Sequence, residues 1–286
     1  MKLYFIGKVA FMKDETLINS PLGKQTFYDT VYDPSLLCPL PRDKQRQAIG
    51  IADVNLPFQG YDVWNAYELS WLNVKGKPLL AIGEFFFPCQ SPYIVESKSF
   101  KLYLNSFHQT TFANLEDVQA ILEKDLAKCV GQPVKVNLIQ SKDYASLCLK
   151  NLPGFCLDNL DIETNLYAVD PSILEHAAEL VEEEFYSNLL KSNCPVTKQP
   201  DWASLYIHYI GPKINKESLL KYIISFRSHY EFGEHCIERI FMDLQKYCRC
   251  HKLTIYGRYT RRGGIDLNPF RSNFESFMRN IRDYRQ

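Results

Sequence analysis

A chain of 286 residues is long enough for one large domain or two of ordinary size, with a core of real extent. Its 33 Lys and Arg balance 33 Asp and Glu, which excludes the overall field that draws a protein to nucleic acid or to an anionic membrane. At 46% hydrophobic and 23% charged residues, it reads as a folded globular protein rather than a disordered one.

In chain order, Met1 to Met12 carries a short apolar stretch broken by Lys2 and Lys8. It lacks the apolar run and small-residue cleavage site of a signal peptide. No window reaches the roughly 20 apolar residues that span a bilayer, so a cytoplasmic protein is expected. Trp64 to Asn73 and Pro78 to Phe87 flank Val74-Lys75-Gly76-Lys77, a hairpin signal. Phe100, Tyr103, Leu104 and Phe107 then form the stripe of an amphipathic helix. A second helix is expected after Asn114, an N-cap residue, with Leu115, Val118, Leu122 and Leu126 on one face and Gly131 past its end. Val134, Val136 and Leu138 alternate as a strand.

A less regular stretch from Ser141 to Asp170, containing Asn151-Leu152-Pro153-Gly154, precedes a segment with Glu182, Glu183 and Glu184. That acidic run reads as the solvated face of a helix. Ala203, Leu205, Ile207 and Tyr209 alternate as a strand. Leu219, Tyr222, Ile223 and Phe226 repeat the spacing of the first helix, and Ser99 and Ser106 recur as Ser218 and Ser225. Ile237, Ile240, Phe241 and Leu244 match the second helix, and Leu253 and Ile255 the strand after it. The chain is therefore a duplication of an α+β unit, an antiparallel sheet with two helices packed on one face. The halves divide at 1–165 and 166–286.

Nine cysteines, at 38, 89, 129, 148, 156, 194, 236, 248 and 250, form no framework. Their odd number and the lack of CxxC spacing argue against disulfides and a zinc ribbon, and for a reducing compartment. Cys248, Cys250 and His251 cluster without a usual ligand spacing, so no metal is expected. No GxGxxG turn of a Rossmann cofactor site follows a strand.

The two copies differ in their polar residues. The first carries Val95-Glu96-Ser97-Lys98-Ser99-Phe100-Lys101-Leu102-Tyr103, and the second is preceded by Ser192-Asn193-Cys194-Pro195-Val196-Thr197-Lys198-Gln199-Pro200-Asp201-Trp202. A site assembled between two modules needs only one set of groups. Singly, each residue has a bland reading. A loop cysteine is more often inert than catalytic, and Asp201 suits a turn or strand edge. Glu96 suits a helix start, and Lys98 and Lys101 read as surface charges.

Together these segments resemble the 7-cyano-7-deazaguanine reductases. Glu96 to Tyr103 fits their signature at every position. The likeness continues through Cys194 to Trp202, Ser225-Phe226-Arg227 with His229, Phe232 with Glu234, and Gly257 to Pro269. It spans most of the second half and about Phe27 to Phe112 of the first. The resemblance implies two tandem tunnelling-fold modules, a homodimer, no direct contact with nucleic acid or membrane, and a place in queuosine (tRNA modification) biosynthesis. It also implies an enzyme that reduces the nitrile of 7-cyano-7-deazaguanine to 7-aminomethyl-7-deazaguanine with two NADPH, through a Cys194 thioimide, with Asp201 as proton donor. Val95, Glu96, Ser97, Gly233 and Glu234 match its substrate positions, and Ser97, Lys98, Arg262 and Gly263 its NADPH contacts. A carboxylate can accept the amide N–H and amine of a deazaguanine as a pair.

The chain departs from the family at one point. Phe232-Gly233-Glu234 stands where the family has Phe-His-Glu, so the imidazole is missing, and neither His229 nor His235 is placed to replace it. Restoring His at 233 is then expected to speed the proton-coupled steps. The alternative is an impaired tunnelling-fold protein that binds purines or pterins. A cyclohydrolase-like enzyme would need zinc ligands that the sequence does not supply.

Overall fold

Alternating apolar residues build the long hairpins of the fold. β2 (Gln59–Leu72) and β3 (Pro78–Pro88) are joined by a turn in which the Asn73 carboxamide oxygen accepts the amides of Lys75 and Lys77, at 2.9 and 3.0 Å. The computed structural model describes residues 20–286 except 22, 23, 25–27, 52–54 and 148, so Met1 to Met12, Phe27 and Cys148 lie outside the described residues. Before the hairpin come β1 (Pro39–Pro41) and the short α1 (Asp43–Ala48). After it come β4 (Tyr93–Val95), which pairs with β1, then α2 (Ser97–Asn105), α3 (Leu115–Val130) and β5 (Lys135–Ile139). Asn114 caps α3 as expected, its side chain accepting the Asp117 amide.

The second half repeats this order. β7 (His176–Asn193) and β8 (Pro200–Ile214) form a hairpin, followed by α4 (Lys216–Ser225), α5 (Gly233–Tyr247), β9 (Lys252–Tyr259) and β10 (Ile265–Ser272). Between the halves, Ser141 to Asp170 holds short 3-10 turns and the two-residue β6 (Phe155–Cys156). The eight strands make one sheet in the order β5-β3-β2-β10-β9-β8-β7-β6, antiparallel except for β6 against β7. β10 joins the two halves by pairing with β2 from Ile265↔Ala66 to Ser272↔Gln59.

Each helix pair closes a core on the sheet. Trp64, Trp71, Phe85, Phe100, Tyr103, Phe107, Leu122 and Val136 pack in the first half, and Leu205, Ile207, Tyr222, Phe226, Ile237, Phe241 and Ile255 in the second. Tyr206, Tyr256 and Phe270 alternate to the other face, where Met278 and Ile281 of the C-terminal segment cover them. Among the described residues no helix is long and apolar enough to cross a membrane.

The acidic run is not a helix. Glu182, Glu183 and Glu184 lie on β7, and each has a partner on β8: His208 at 3.0 Å from Glu182, the Tyr209 hydroxyl at 2.6 Å from Glu183, and Tyr206 hydrogen-bonded to Glu184. These cross-strand contacts, with Phe185 and Leu190 turned into the core, hold an extended backbone where local charge suggested a solvated helix.

A buried ionic cluster ties the halves together. Arg42 reaches Asp62 at 2.5 Å, and Arg271 reaches Asp62 at 2.7 Å and Glu238 at 2.9 Å. Arg46 holds Glu238 through two bonds of 2.9 and 2.7 Å. Burial alone would raise the Glu238 carboxyl, but Arg271 and Arg46 hold it well below the usual range. Glu238→Gln would leave the arginines short of charge. It is expected to destabilise the fold by roughly 3–5 kcal/mol, read as a lower urea midpoint with an unchanged slope.

Candidate active site

A cleft opens where β2 and β10 bring the two halves side by side. Its walls include Val95, Glu96, Ser97 and Lys101 from the first half, and Cys194, Asp201, Gly233, Glu234, Tyr259 and Arg262 from the second.

Glu96 is the N-cap of α2. One carboxylate oxygen accepts the Lys98 amide at 2.7 Å and the other the Ser99 amide at 2.8 Å. Only 1% of Glu96 is exposed, and burial pushes its carboxyl up against those two bonds and Lys101. Each oxygen keeps a second lone pair for the cleft.

Glu234 sits in the first turn of α5. Burial and repulsion from Asp62 push it up to about 7, against its own backbone N–H, Arg42 and Arg271.

Cys194 opens the β7–β8 hairpin. Its amide donates to the Gln199 carbonyl, and the Thr197 amide points at its Sγ from 3.5 Å. It is 3% exposed, so the thiol is approached only through the cleft. Asp201 lies on β8 opposite Ser192, within the strand rather than before it. Burial raises its carboxyl, while Arg262, at 2.9 Å, Lys101 and Lys191 oppose the rise. The Arg262 contact is an ion pair without hydrogen-bond alignment, since that buried Nη1 has no hydrogen-bond partner.

Arg262 and Gly263 belong to the β9–β10 turn, where Gly263 and Gly264 take φ of +62° and +80°, the region glycine favours. This turn faces a second groove with Lys101, Glu68, Asn105 and His108. A Cβ on Gly263 would lie 3.1 Å from the Lys101 Nζ, so the bare backbone leaves room beside a cation.

Residues 28–138 match the family described as nitrile reductase, 7-cyano-7-deazaguanine-reductase N-term, and residues 200–276 match QueF-like protein. An NADPH-dependent 7-cyano-7-deazaguanine reductase of Ralstonia nicotianae is 54% identical, covering 94% of this chain and 98% of its own. Proteins of the same name from Burkholderia vietnamiensis and Burkholderia lata are 53% and 52% identical at the same coverage. The chain belongs to the 7-cyano-7-deazaguanine reductase family.

The cleft thus gathers Cys194, Asp201, Val95, Glu96, Ser97, Gly233, Glu234 and Arg262, while Gly263 lines the adjoining groove of this reductase-family chain. Lys98 lines neither cavity; its Nζ hydrogen-bonds to the Lys24 carbonyl. Lys101, read from sequence as a surface charge, lines both, and burial and Arg262 lower its ammonium. Tyr259 and Thr260, absent from the sequence reading of the site, also line the cleft. The signal for Lys101 was its helical spacing from Ser97.

His229 and His235 stay outside the cleft. His229 bonds Glu231 at 2.9 Å. His235 is fully buried with both ring nitrogens unpartnered, and burial lowers it to about 4. A Cβ on Gly233 would lie 2.8 and 2.9 Å from Cε2 and Cζ of Tyr259, so a histidine could enter there only by moving that ring.

His229, Glu231 and Cys236 bring donor atoms within 4.8 Å of one another. Glu231 is already held by Arg239 through bonds of 3.0 and 2.8 Å, a cation where a metal would need to stand. Cys38, Cys89, Cys129, Cys156, Cys194, Cys236, Cys248 and Cys250 are free thiols.

Proposed function

We propose that this chain reduces the nitrile of 7-cyano-7-deazaguanine to the aminomethyl group with two NADPH, serving queuosine biosynthesis. The observation that carries this is the meeting of Cys194 and Asp201 with Glu96, from the other half, and Glu234 in one cleft. A nitrile carbon is a weak electrophile, and a thiolate can add to it covalently. In this reading the Cys194 Sγ forms the C–S bond, one C–N π bond opens, and the nitrogen takes a proton from Asp201. The product is a thioimide. Asp201 suits a donor because burial favours its protonated form. Glu234 and Glu96 accept the amide N–H and exocyclic amine of the base, fixing the nitrile toward sulfur.

The residues around the second groove fit a phosphorylated dinucleotide. Lys101 and Arg262 offer positive charge, Gly263 and Gly264 open the backbone, and Glu68 offers an acceptor for sugar hydroxyls. NADPH, when bound, would supply a hydride, two electrons and a proton, to carbon. The C–S bond would then break with its electron pair returning to the Cys194 sulfur, leaving an imine that a second hydride on carbon and a proton on nitrogen would convert to the amine.

The reading extends to two tunnelling-fold modules, 1–165 and 166–286, a homodimer, and the cytoplasm. Support comes from the repeated strand–strand–helix–helix–strand order and from a sheet open at β5 and β6. Two NADPH should be oxidised per nitrile, followed by absorbance with product counted by chromatography. One per nitrile, or none, would overturn the four-electron reading.

A further inference from the structure

The two helices that carry the cleft carboxylates start differently. α2 is capped by Glu96 itself, with both oxygens on helix amides. α5 has Phe232 as its N-cap with no side-chain cap bond, and Gly233 follows as its first residue. A missing side-chain cap and a glycine each weaken a helix start by local criteria. Yet Glu234, the next residue, is buried and fixed in the wall of the cleft.

What lies against that turn is Tyr259, the last residue of β9. It is 4% exposed, and its ring fills the space that a side chain at 233 would take. Its hydroxyl donates to the Gly233 carbonyl at 3.4 Å and shares a hydrogen bond with the Cys236 thiol, one turn along α5. At its own end the Tyr259 carbonyl accepts the Gln286 side chain at 2.9 Å, and Ala203 of β8 is its strand partner. Gly257, two residues back on the same face, leaves the ring room, since a Cβ there would lie 3.3 Å from Cε2.

We propose that Tyr259 is the positioning residue for Glu234, the protein carboxylate that meets the substrate, in this chain. Its ring and hydroxyl replace the absent cap, clamp the first turn of α5, and aim Glu234 into the cleft. This rests on the reading of Glu234 as a substrate contact. It also gives Gly233 a reason: any side chain there would push the clamp off the turn.

The test uses the full chain carrying Cys194→Ala, so that binding is non-covalent. Affinity for 7-cyano-7-deazaguanine is read from quenching of Trp64, which lines the cleft. Tyr259→Leu should weaken binding by about tenfold and Tyr259→Phe by less, because the ring carries more of the contact than the hydroxyl. Gly233→Ala should weaken binding when Tyr259 is present and have little further effect with Tyr259→Leu, since the two act through one contact. Hydrogen exchange of amides 233–237 should speed up in Tyr259→Leu while α2 is unchanged. A lower melting temperature with unchanged affinity and exchange would mean that Tyr259 is merely structural, and the proposal would fall. Glu234→Gln separates the two ideas. If it leaves affinity intact, the substrate reading of Glu234 is wrong and the clamp does not serve binding. If it weakens binding while Tyr259→Leu does not, only the clamp is wrong.

Discussion

Cys194→Ala is expected to lower turnover by about 10⁴-fold or more, with no covalent adduct detectable by intact-protein mass spectrometry. The effect should be this large because, among the described residues, no other thiol lines the cleft; Cys236, in α5, is fully buried, and burial keeps it protonated. Substrate should still bind, since the carboxylates and apolar walls remain. Asp201→Asn is expected to be milder, about 10²- to 10⁴-fold, because it removes a proton donor rather than the nucleophile. It should slow adduct formation as well as reduction, since the nitrile nitrogen needs a proton when the C–S bond forms. Adduct formation at the parent rate in Asp201→Asn would remove Asp201 from the chemistry. The Arg262 ion pair adds a second reading. While it stands it favours ionised Asp201, so Arg262→Gln should carry the alkaline limb of adduct formation, where the donor loses its proton, to higher pH.

The fold was legible wherever local pattern and tertiary packing agree. The β2–β3 hairpin, the paired helices with their repeated stripes, and the strands after them follow from alternation and helical spacing. They appear nearly as expected because each buries the face that its sequence makes apolar. β7 was misread because three adjacent glutamates hide Phe185 and Leu190, and their partners His208, Tyr209 and Tyr206 are distant in sequence. The site is a different matter. Its residue types came from a resemblance, whereas their convergence depends on β10 pairing with β2, a contact between residues some two hundred positions apart. Lys101 shows the consequence. On an isolated α2 it is a surface charge, and only the neighbouring β9–β10 turn makes it a shared wall of two cavities. Gly233 and Tyr259 were read separately for the same reason, since the steric relation between them exists only in three dimensions.

Affinity for 7-cyano-7-deazaguanine should fall as pH drops below about 7, and the cause should be Glu234. In the free protein, burial and the nearby Asp62 charge push its carboxyl up to about 7. An amide N–H and an amine need an ionised carboxylate, so binding must first remove the proton. Below that pH the dissociation constant should rise by about tenfold per pH unit, flattening where the carboxyl of the complex itself protonates. Glu234→Gln should abolish this slope and weaken binding at pH 8 by roughly 30- to 1000-fold, the cost of about 2–4 kcal/mol for losing a charged acceptor from a buried pair. Stability should move the opposite way. A carboxyl raised in the folded state stabilises most below its unfolded range, and that contribution is lost as pH rises through about 7. The ligand-free Glu234→Gln chain should therefore unfold at higher denaturant than the parent above pH 7, and the gap should close toward pH 5. Binding that is flat from pH 5 to 8 in the parent would show that Glu234 is already ionised, or that another group meets the base. A pH-dependent affinity lost in Glu234→Gln would instead mean that the cleft holds a destabilising buried carboxyl for the sake of recognition, with Arg42 and Arg271 behind it limiting the cost.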